Sequence, residues 1–258
     1  MVFLPNASKR TSWRRGTTAI LLFVLLWAVV AQSSLIAEGS LPNPWQTVDY
    51  FATEFLGDAG YWNSWWVSFQ RVLYGFLAAQ LLGIPLGLLL GLSRRANAFV
   101  FPVFELLRPI PPLAWVPLSI LFWPTTESSI VFITTVGAFF IIVMNVLYGI
   151  HGIPKQYLWQ ARSLGARRSS VFLRIILPAI LPSVIAGMVL GIAVTWNVLI
   201  AAEMIASDSG LGRLTWEGYV SATPAVVIIG MASIGLAGVI STALIHVFER
   251  AALRWRSE

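Results

Sequence analysis

The chain has 258 residues, of which 57% are apolar and only 11% charged, and its mean hydropathy is +0.78. Soluble domains average roughly 45–50% apolar and 25% charged residues, so this composition excludes an ordinary soluble protein. The net charge of +6 does not indicate a nucleic-acid partner, because the basic residues follow membrane topology, and the absence of cysteine excludes disulfides and thiolate chemistry.

Six apolar stretches predict the fold class. A membrane-spanning helix needs about 20 apolar residues. The stretches near that length are residues 16–37, 72–93, 109–126, 128–150, 175–202 and 218–248. The third is the shortest and is rich in proline. We therefore expect an all-α, polytopic membrane protein with about six transmembrane helices.

The positions of the basic residues predict the orientation. When both termini are placed inside, most of the 17 Lys and Arg residues fall on the cytoplasmic side. This is the distribution that the positive-inside rule requires. The sequence thus predicts a multi-pass protein of the inner (plasma) membrane with cytoplasmic N- and C-termini.

The chain divides into five segments. They are a disordered basic tail at 1–16, a first transmembrane helix at 17–37, a periplasmic segment at 38–63, a transmembrane core at 64–250 with a cytoplasmic segment at 151–178, and a cytoplasmic basic tail at 251–258. The start of the chain could also be a signal peptide. Its apolar run is longer than the usual core of a signal peptide, which favours an uncleaved helix.

Glycines four residues apart predict close helix packing in two of the spans. Small residues at this spacing let two helix backbones approach each other in lipid. The glycines concerned are Gly83, Gly87 and Gly91 in the second span and Gly187 and Gly191 in the fifth.

The prolines between residues 98 and 123 predict a broken helix, because each proline removes a backbone donor and clashes one turn back. Glu105 and Arg108 lie three residues apart just before the break, on one helical face. Two interpretations remain open. The pair either lines a translocation path, with Arg108 attracting a small anion, or forms a structural contact near the cytoplasmic interface.

The fifth span carries the other candidates for a path or gate. Trp196 and Asn197 lie in mid-span, where the amide of Asn197 must face another helix or the path. Glu203 lies near the external end, where it either gates the exit or is a solvated carboxylate. Arg71 is expected to snorkel at the interface. No residue spacing predicts a metal site or a catalytic group, so an intramembrane enzyme is not expected.

The cytoplasmic segment is predicted to form two short helices. The elements are a helix over Lys155–Leu164, a left-handed stop at Gly165, and a helix over Val171–Leu177, capped by Ser169 or Ser170 and followed by Pro178, which opens the fifth span. Ala161 and Gly165 would share one side of the first helix and form a narrow ridge that the groove of another protein can accept. The alternative is a basic loop lying on anionic lipid.

These motifs resemble the permease subunits of ATP-binding-cassette importers, specifically the nitrate, bicarbonate, taurine and alkanesulfonate group. The resemblance covers roughly residues 60–255 and is carried, in the family's order, by Arg108–Leu118, by Ala161–Ala166 with Ile175–Ala179, and by Ala201–Met204 with Ser209–Gly212. Trp159 stands where the family usually has Glu, and Gln160 stands where the family has its first Ala. The cytoplasmic contact is therefore expected to be more apolar than in the relatives.

The resemblance implies partners and a mechanism. Two copies of the chain would form the path for a small anion of the nitrate, bicarbonate or sulfonate type, two cytoplasmic ATPases would dock beneath them, and a periplasmic or lipid-anchored binding protein would deliver the solute. The implied docking residues, which form a coupling helix, are Trp159, Gln160, Ala161, Arg162, Ser163, Leu164, Gly165 and Ala166.

ATP and Mg²⁺ are expected on the partner subunits, because this chain has no Gly-x-x-x-x-Gly-Lys-Ser/Thr loop to bind phosphates. The chain itself is therefore not expected to be an enzyme or to bind a cofactor. Two alternatives remain open. One is a stand-alone secondary carrier, which should show internal repeats and several mid-membrane charges, and the other is a membrane scaffold without transport.

Overall fold

The computed structural model describes residues 9–33 and 40–253, and every regular element in those ranges is a helix. In chain order the helices are α1 (Lys9–Gln32), α2 (Pro44–Tyr50), α3 (Ala59–Leu92), α4 (Arg94–Leu107), α5 (Val116–Phe122), α6 (Thr126–His151), α7 (Lys155–Ser163), α8 (Arg168–Val171), α9 (Leu177–Ala206), α10 (Leu211–Val220) and α11 (Pro224–Ala252). Short π-helical turns extend α2 and join α8 to α9, and a 3₁₀ turn precedes α5.

The structure confirms the predicted all-α membrane fold. In the described ranges, five helical segments are long and apolar enough to cross a membrane, and a bent pair brings the number to six. The bent pair consists of α4 and α5, whose axes meet at 87°. Pro109, Pro111 and Pro112 lie at this bend, where they cannot continue the hydrogen-bond ladder of α4.

Two predicted boundaries near the chain ends are wrong. Helix α1 begins at Lys9, so the part of the predicted disordered tail from Lys9 to Gly16 is helical, because Lys and Arg are good helix formers and no proline interrupts the run. Helix α11 begins at Pro224 rather than at residue 218, since the backbone of Ala222 has a φ of +50° and reverses the chain after α10. The parts of the predicted segments at 1–8, 34–39 and 254–258 lie outside the described residues.

The predicted second cytoplasmic helix, Val171–Leu177, is not a separate element. The helix begins at Arg168, with Arg167 rather than Ser169 or Ser170 as its N-cap, and the π-helical turn Phe172–Ile176 joins it to α9. Pro178 lies in the first turn of α9. Because Pro178 has no N–H, the wider turn before it accommodates the missing bond, and one helical rod of 39 residues runs from Arg168 to Ala206.

Helices α3, α6 and α9 form the centre of the bundle. A Cβ built on Gly87 would lie 2.7 Å from the Cβ of Val146 in α6, which is closer than real side chains approach. Gly83 and Gly91, one turn to either side, face α6 in the same way. The glycine stripe of α3 therefore brings the α3 and α6 backbones together.

The second pair of glycines lies between α9 and α6. A Cβ on Gly187 would lie 2.8 Å from the Cβ of Asn145, so no larger residue fits without movement of α6. At Gly191 the corresponding distance, to the Cβ of Ala138, is an ordinary 3.5 Å. The close approach of α9 to α6 is thus centred on Gly187.

Candidate functional site

The segment that follows α6 is a short helix with a well-defined end. Helix α7 is stopped by Gly165, whose φ of +76° is the left-handed conformation that glycine adopts without strain. The N–H of Gly165 donates to the carbonyl of Arg162 and the N–H of Ala166 donates to the carbonyl of Ala161, both at 3.0 Å. This pair of bonds is a Schellman motif, which fixes the direction in which the chain leaves α7.

The outer face of α7 carries large apolar groups rather than a ridge of small ones. Ala161, together with Leu158 and Ala166, packs against an apolar cluster of the bundle, whereas Gly165 is exposed, so only Gly165 of the predicted ridge faces outward. Trp159 is 65% exposed, and Leu164, the residue that follows α7, is 87% exposed. Trp159 lies two residues before Ala161 and therefore on the far side of α7, whereas Leu164 projects from the C-terminal end of the helix.

The residues between these two are polar. Gln160, Arg162 and Ser163 are all exposed. Large apolar side chains that are exposed among polar ones are typical of a protein–protein contact.

The predicted pair of Glu105 and Arg108 forms at the end of α4. Arg108 Nη1 lies 3.6 Å from Glu105 Oε1, and both side chains are partly exposed. Arg108 also lines an open cavity of about 380 Å³ whose walls come from α6 and α9, including Asn145 and Val194. The guanidinium thus retains donors that can point into the cavity.

The two predicted mid-span residues of α9 face different ways. Trp196 is buried, and its Nε1 donates to Ser241 Oγ of α11 at 3.1 Å, so it joins two helices of the bundle. Asn197 is exposed on the surface of the protomer. It lies three residues after the cavity-lining Val194 and therefore on the same face of α9.

In the described part of the chain, the guanidinium of Arg71 makes a network of hydrogen bonds that sequence reasoning did not predict. Arg71 of α3 is only 3% exposed, and its guanidinium bridges two carboxylates. Its Nε donates to Glu127 Oε2 and its Nη1 to Glu203 Oε1, both at 2.9 Å, and its Nη2 makes a further short contact with Glu127. The prediction that Arg71 snorkels at the interface is therefore wrong, because its guanidinium is buried and pairs with the buried Glu203 as well as with the exposed Glu127.

Glu203 is fully buried, so the interpretation of a solvated carboxylate is also wrong. Besides Arg71, it accepts hydrogen bonds from Ser68 Oγ at 2.8 Å and from the N–H of Gly212 at 2.9 Å. A buried carboxylate needs such donors as well as its counter-ion, because desolvation of an unpaired charge is very costly.

The loop between α9 and α10 is built around this ion pair. The N–H of Leu211 donates to Ser68 Oγ, and Arg71 Nη1 donates to the carbonyl of Ser209, both at 2.8 Å. Gly210, with a φ of +114°, lies so close to the carboxylate of Glu203 that a side chain would collide with it. The Ser-Gly-Leu-Gly stretch thus joins α3 and α9 to the start of α10, and Arg71 links this network to Glu127 of α6.

Sequence reasoning missed this network because its members are far apart in the chain. A signal was present in the sequence. Arg71 lies at the start of a long apolar span, where a charge requires a partner, and Glu203 lies within Ala201–Met204. The described residues contain no group of three His, Cys, Asp or Glu side chains that could hold a metal ion.

Comparisons with known proteins agree with this architecture. Residues 83–254 match the family described as "Binding-protein-dependent transport system inner membrane component". The chain is 38% identical to a putative ABC transporter permease of Methanocaldococcus jannaschii, over 74% of this chain and 72% of that one. It is 32% identical to the taurine transport system permease TauC of Escherichia coli K12, over 97% of this chain and 96% of the relative.

A nitrate import permease, NrtB of Leptolyngbya laminosa, is also 32% identical, over 92% of this chain and 87% of its own length. Among solved structures, a chain of the MetNI methionine ABC transporter in an inward-facing conformation matches with a TM-score of 0.59. That match covers 72% of this chain and 94% of the other at 18% identity, which establishes a common fold.

Proposed function

The chain belongs to the inner membrane components of binding-protein-dependent transport systems, and we propose that it is the permease subunit of an ATP-binding-cassette importer for a small anion. Relatives named for taurine, nitrate and bicarbonate transport support this substrate class. The proposal includes a second copy of the chain, two cytoplasmic ATPase subunits that bind ATP and Mg²⁺, and an external substrate-binding protein.

The observation that carries the proposal is the exposure of two large apolar side chains in the α7 segment. Trp159 and Leu164 project from a segment that lies between two membrane spans and whose exit is fixed by the turn at Gly165. Burying a large apolar side chain contributes about 1.5–3 kcal/mol, so a groove that covers both residues would gain several kcal/mol. Helix α7 is therefore the element that we assign as the coupling helix, with the exposed Gln160, Arg162 and Ser163 at its rim.

The proposed path lies along the open cavity beside α6 and α9. Arg108 and Asn145 line this cavity, and Asn197 lies one turn beyond it on the exposed face of α9. An exposed amide in mid-span requires a polar environment, which a second copy and a water-filled path would supply. Arg108 would bind the anion through charge-assisted hydrogen bonds, which are about twice as strong as neutral ones.

The coupling assignment is tested with the double variant Trp159→Ala/Leu164→Ala. We expect it to insert in the membrane normally but to lose co-purification with the proposed ATPase subunit, and to lose vanadate-sensitive uptake as a result. Trp66→Ala is the matched control, because Trp66 is similarly exposed but lies near the external start of α3. Normal ATPase binding by the double variant would show that α7 is not the docking element.

The same uptake measurement separates the importer from the alternatives. Uptake by the reconstituted complex should require ATP and the binding protein and should be blocked by vanadate. Uptake that follows an ion gradient and ignores vanadate would indicate a secondary carrier instead, and no uptake under any of these conditions would favour a scaffold.

A further inference from the structure

A second cavity, distinct from the proposed path, lies where α3 and α4 meet the α7 segment. Its volume is about 690 Å³, and its lining includes Arg94, Lys155 and Arg162 as well as His151 and Asn97. No carboxylate is among the residues that line it. We propose that this cavity binds a phosphate group, either from a phospholipid headgroup or from soluble phosphate.

The three cations converge from two separate elements and lack counter-ions. Arg94 comes from α4, and Lys155 and Arg162 come from the two ends of α7. None of them has an ion-pair partner within the described part of the chain. Three like charges around one cavity repel each other, and an anion that enters would remove that repulsion.

The backbone adds to the positive potential. Arg94 and Lys155 are the first residues of α4 and α7, so the N-terminal ends of both helices lie at the cavity. The unpaired N–H groups of a first helical turn and the helix dipole favour a bound anion. This contribution is independent of the side-chain charges.

The apolar part of the cavity wall favours a phosphate that is attached to a lipid over a hydrated inorganic phosphate. Apolar residues, among them Leu90 at the end of α3 and Ile153 before α7, form the rest of the lining. Leu90 belongs to a transmembrane helix, so the cavity lies at the level where a span meets the headgroups. Basic pockets between transmembrane helices are sites at which anionic headgroups bind.

A phosphate in this cavity would connect α4 to the α7 segment. Only this consequence rests on the proposed function, in which α7 is the coupling helix. The cavity and its charges would bind phosphate whether or not α7 contacts an ATPase, so the two assignments fail independently.

The test is a binding titration of the purified full chain with dioleoyl phosphatidylglycerol, followed by native mass spectrometry. Dioleoyl phosphatidylcholine is the comparison, because its choline cation balances the charge of its phosphate. The wild type should bind the phosphatidylglycerol at least about tenfold more tightly. Arg94→Gln/Lys155→Gln should weaken that binding about 30-fold, because each cation near an anionic lipid contributes about 1 kcal/mol.

The matched control is Arg95→Gln/Arg168→Gln, which removes the same charge from the same face of the protein but from residues that do not line the cavity. We expect its phosphatidylglycerol affinity to stay within about threefold of the wild type. Ala98→Phe is a second variant that keeps every cation and fills the cavity, since Ala98 lines it and is exposed. It should also lose binding.

Inorganic phosphate identifies the source of the ligand. Competition by millimolar phosphate would show that the phosphate group alone suffices, whereas binding of the lipid without such competition would assign the site to the headgroup. Equal losses in the cavity variant and the matched control, or no preference of the wild type for phosphatidylglycerol, would overturn the proposal.

Discussion

The buried pair of Arg71 and Glu203 leads to the most quantitative prediction. In Glu203→Gln the side chain keeps its size but loses its charge, so Arg71, only 3% exposed, would be left with Glu127 as its one counter-ion. Removing one partner of a buried pair costs about 3–5 kcal/mol, and we expect about 3 kcal/mol because Glu127 still neutralises part of the charge.

Glu127→Gln is the internal control. Glu127 contacts the same guanidinium, but its side chain is 62% exposed. Water already solvates much of the Glu127 carboxylate, and Glu203 stays in place beside Arg71, so this variant should cost about 1 kcal/mol and less than Glu203→Gln. The double variant Arg71→Met/Glu203→Met should be more stable than Arg71→Met alone, because the single change leaves a buried carboxylate without its counter-ion.

The measurement is urea unfolding of the purified chain in detergent, followed by tryptophan fluorescence, with the unfolding midpoint compared across the four variants. A mostly structural role also predicts that the Glu203 variant loses order in the loop between α9 and α10, which hydrogen exchange of Leu211 and Gly212 would detect. If Glu203→Gln and Glu127→Gln proved equally stable, the inference that Glu203 is the structural partner of Arg71 would be refuted.

Three further predictions concern α7, the path and the helix packing. Gly165→Ala should destabilise the end of α7 by about 1–2 kcal/mol, since alanine is strained at positive φ, and Gly165→Asn should cost less. Gly165→Ala should therefore co-purify with less ATPase than Gly165→Asn, and equal co-purification would contradict this prediction. Arg108→Gln should raise the KM for anion uptake at least about tenfold, and an unchanged KM and rate would remove Arg108 from the path. Gly87→Leu should lower stability in the same unfolding assay by about 1–3 kcal/mol through overpacking against α6, whereas Gly238→Leu, where a Cβ meets open space, should change it little.

Local chemistry made part of this structure predictable. The left-handed backbone at Gly165 follows from a glycine after a short polar helix, and the bend between α4 and α5 follows from the prolines that no helix can accommodate. The pairing of Glu105 with Arg108 follows from their spacing of three residues. Each of these features depends on residues that are neighbours in the chain.

The features that sequence reasoning missed depend on tertiary packing. Arg71 and Glu203 are 132 residues apart, so nothing local indicates that they meet. The orientation of α7 is set by the fit of Leu158 and Ala161 against the bundle, and the pattern of the helix alone allowed the opposite face to be outside. In the same way, the start of α11 at Pro224 depends on the reversal at Ala222 rather than on apolar length.

The unbroken rod from Arg168 to Ala206 has a mechanical consequence. At 1.5 Å per residue, its 39 residues extend about 58 Å, so it reaches across the whole bilayer. One end starts three residues after the Gly165 turn, and the other carries the Glu203 anchor. In the proposed importer, a sideways push on the Arg168 end would tilt this rod about the Glu203 anchor, and the rod would bend most easily at the π-helical turn and at Pro182.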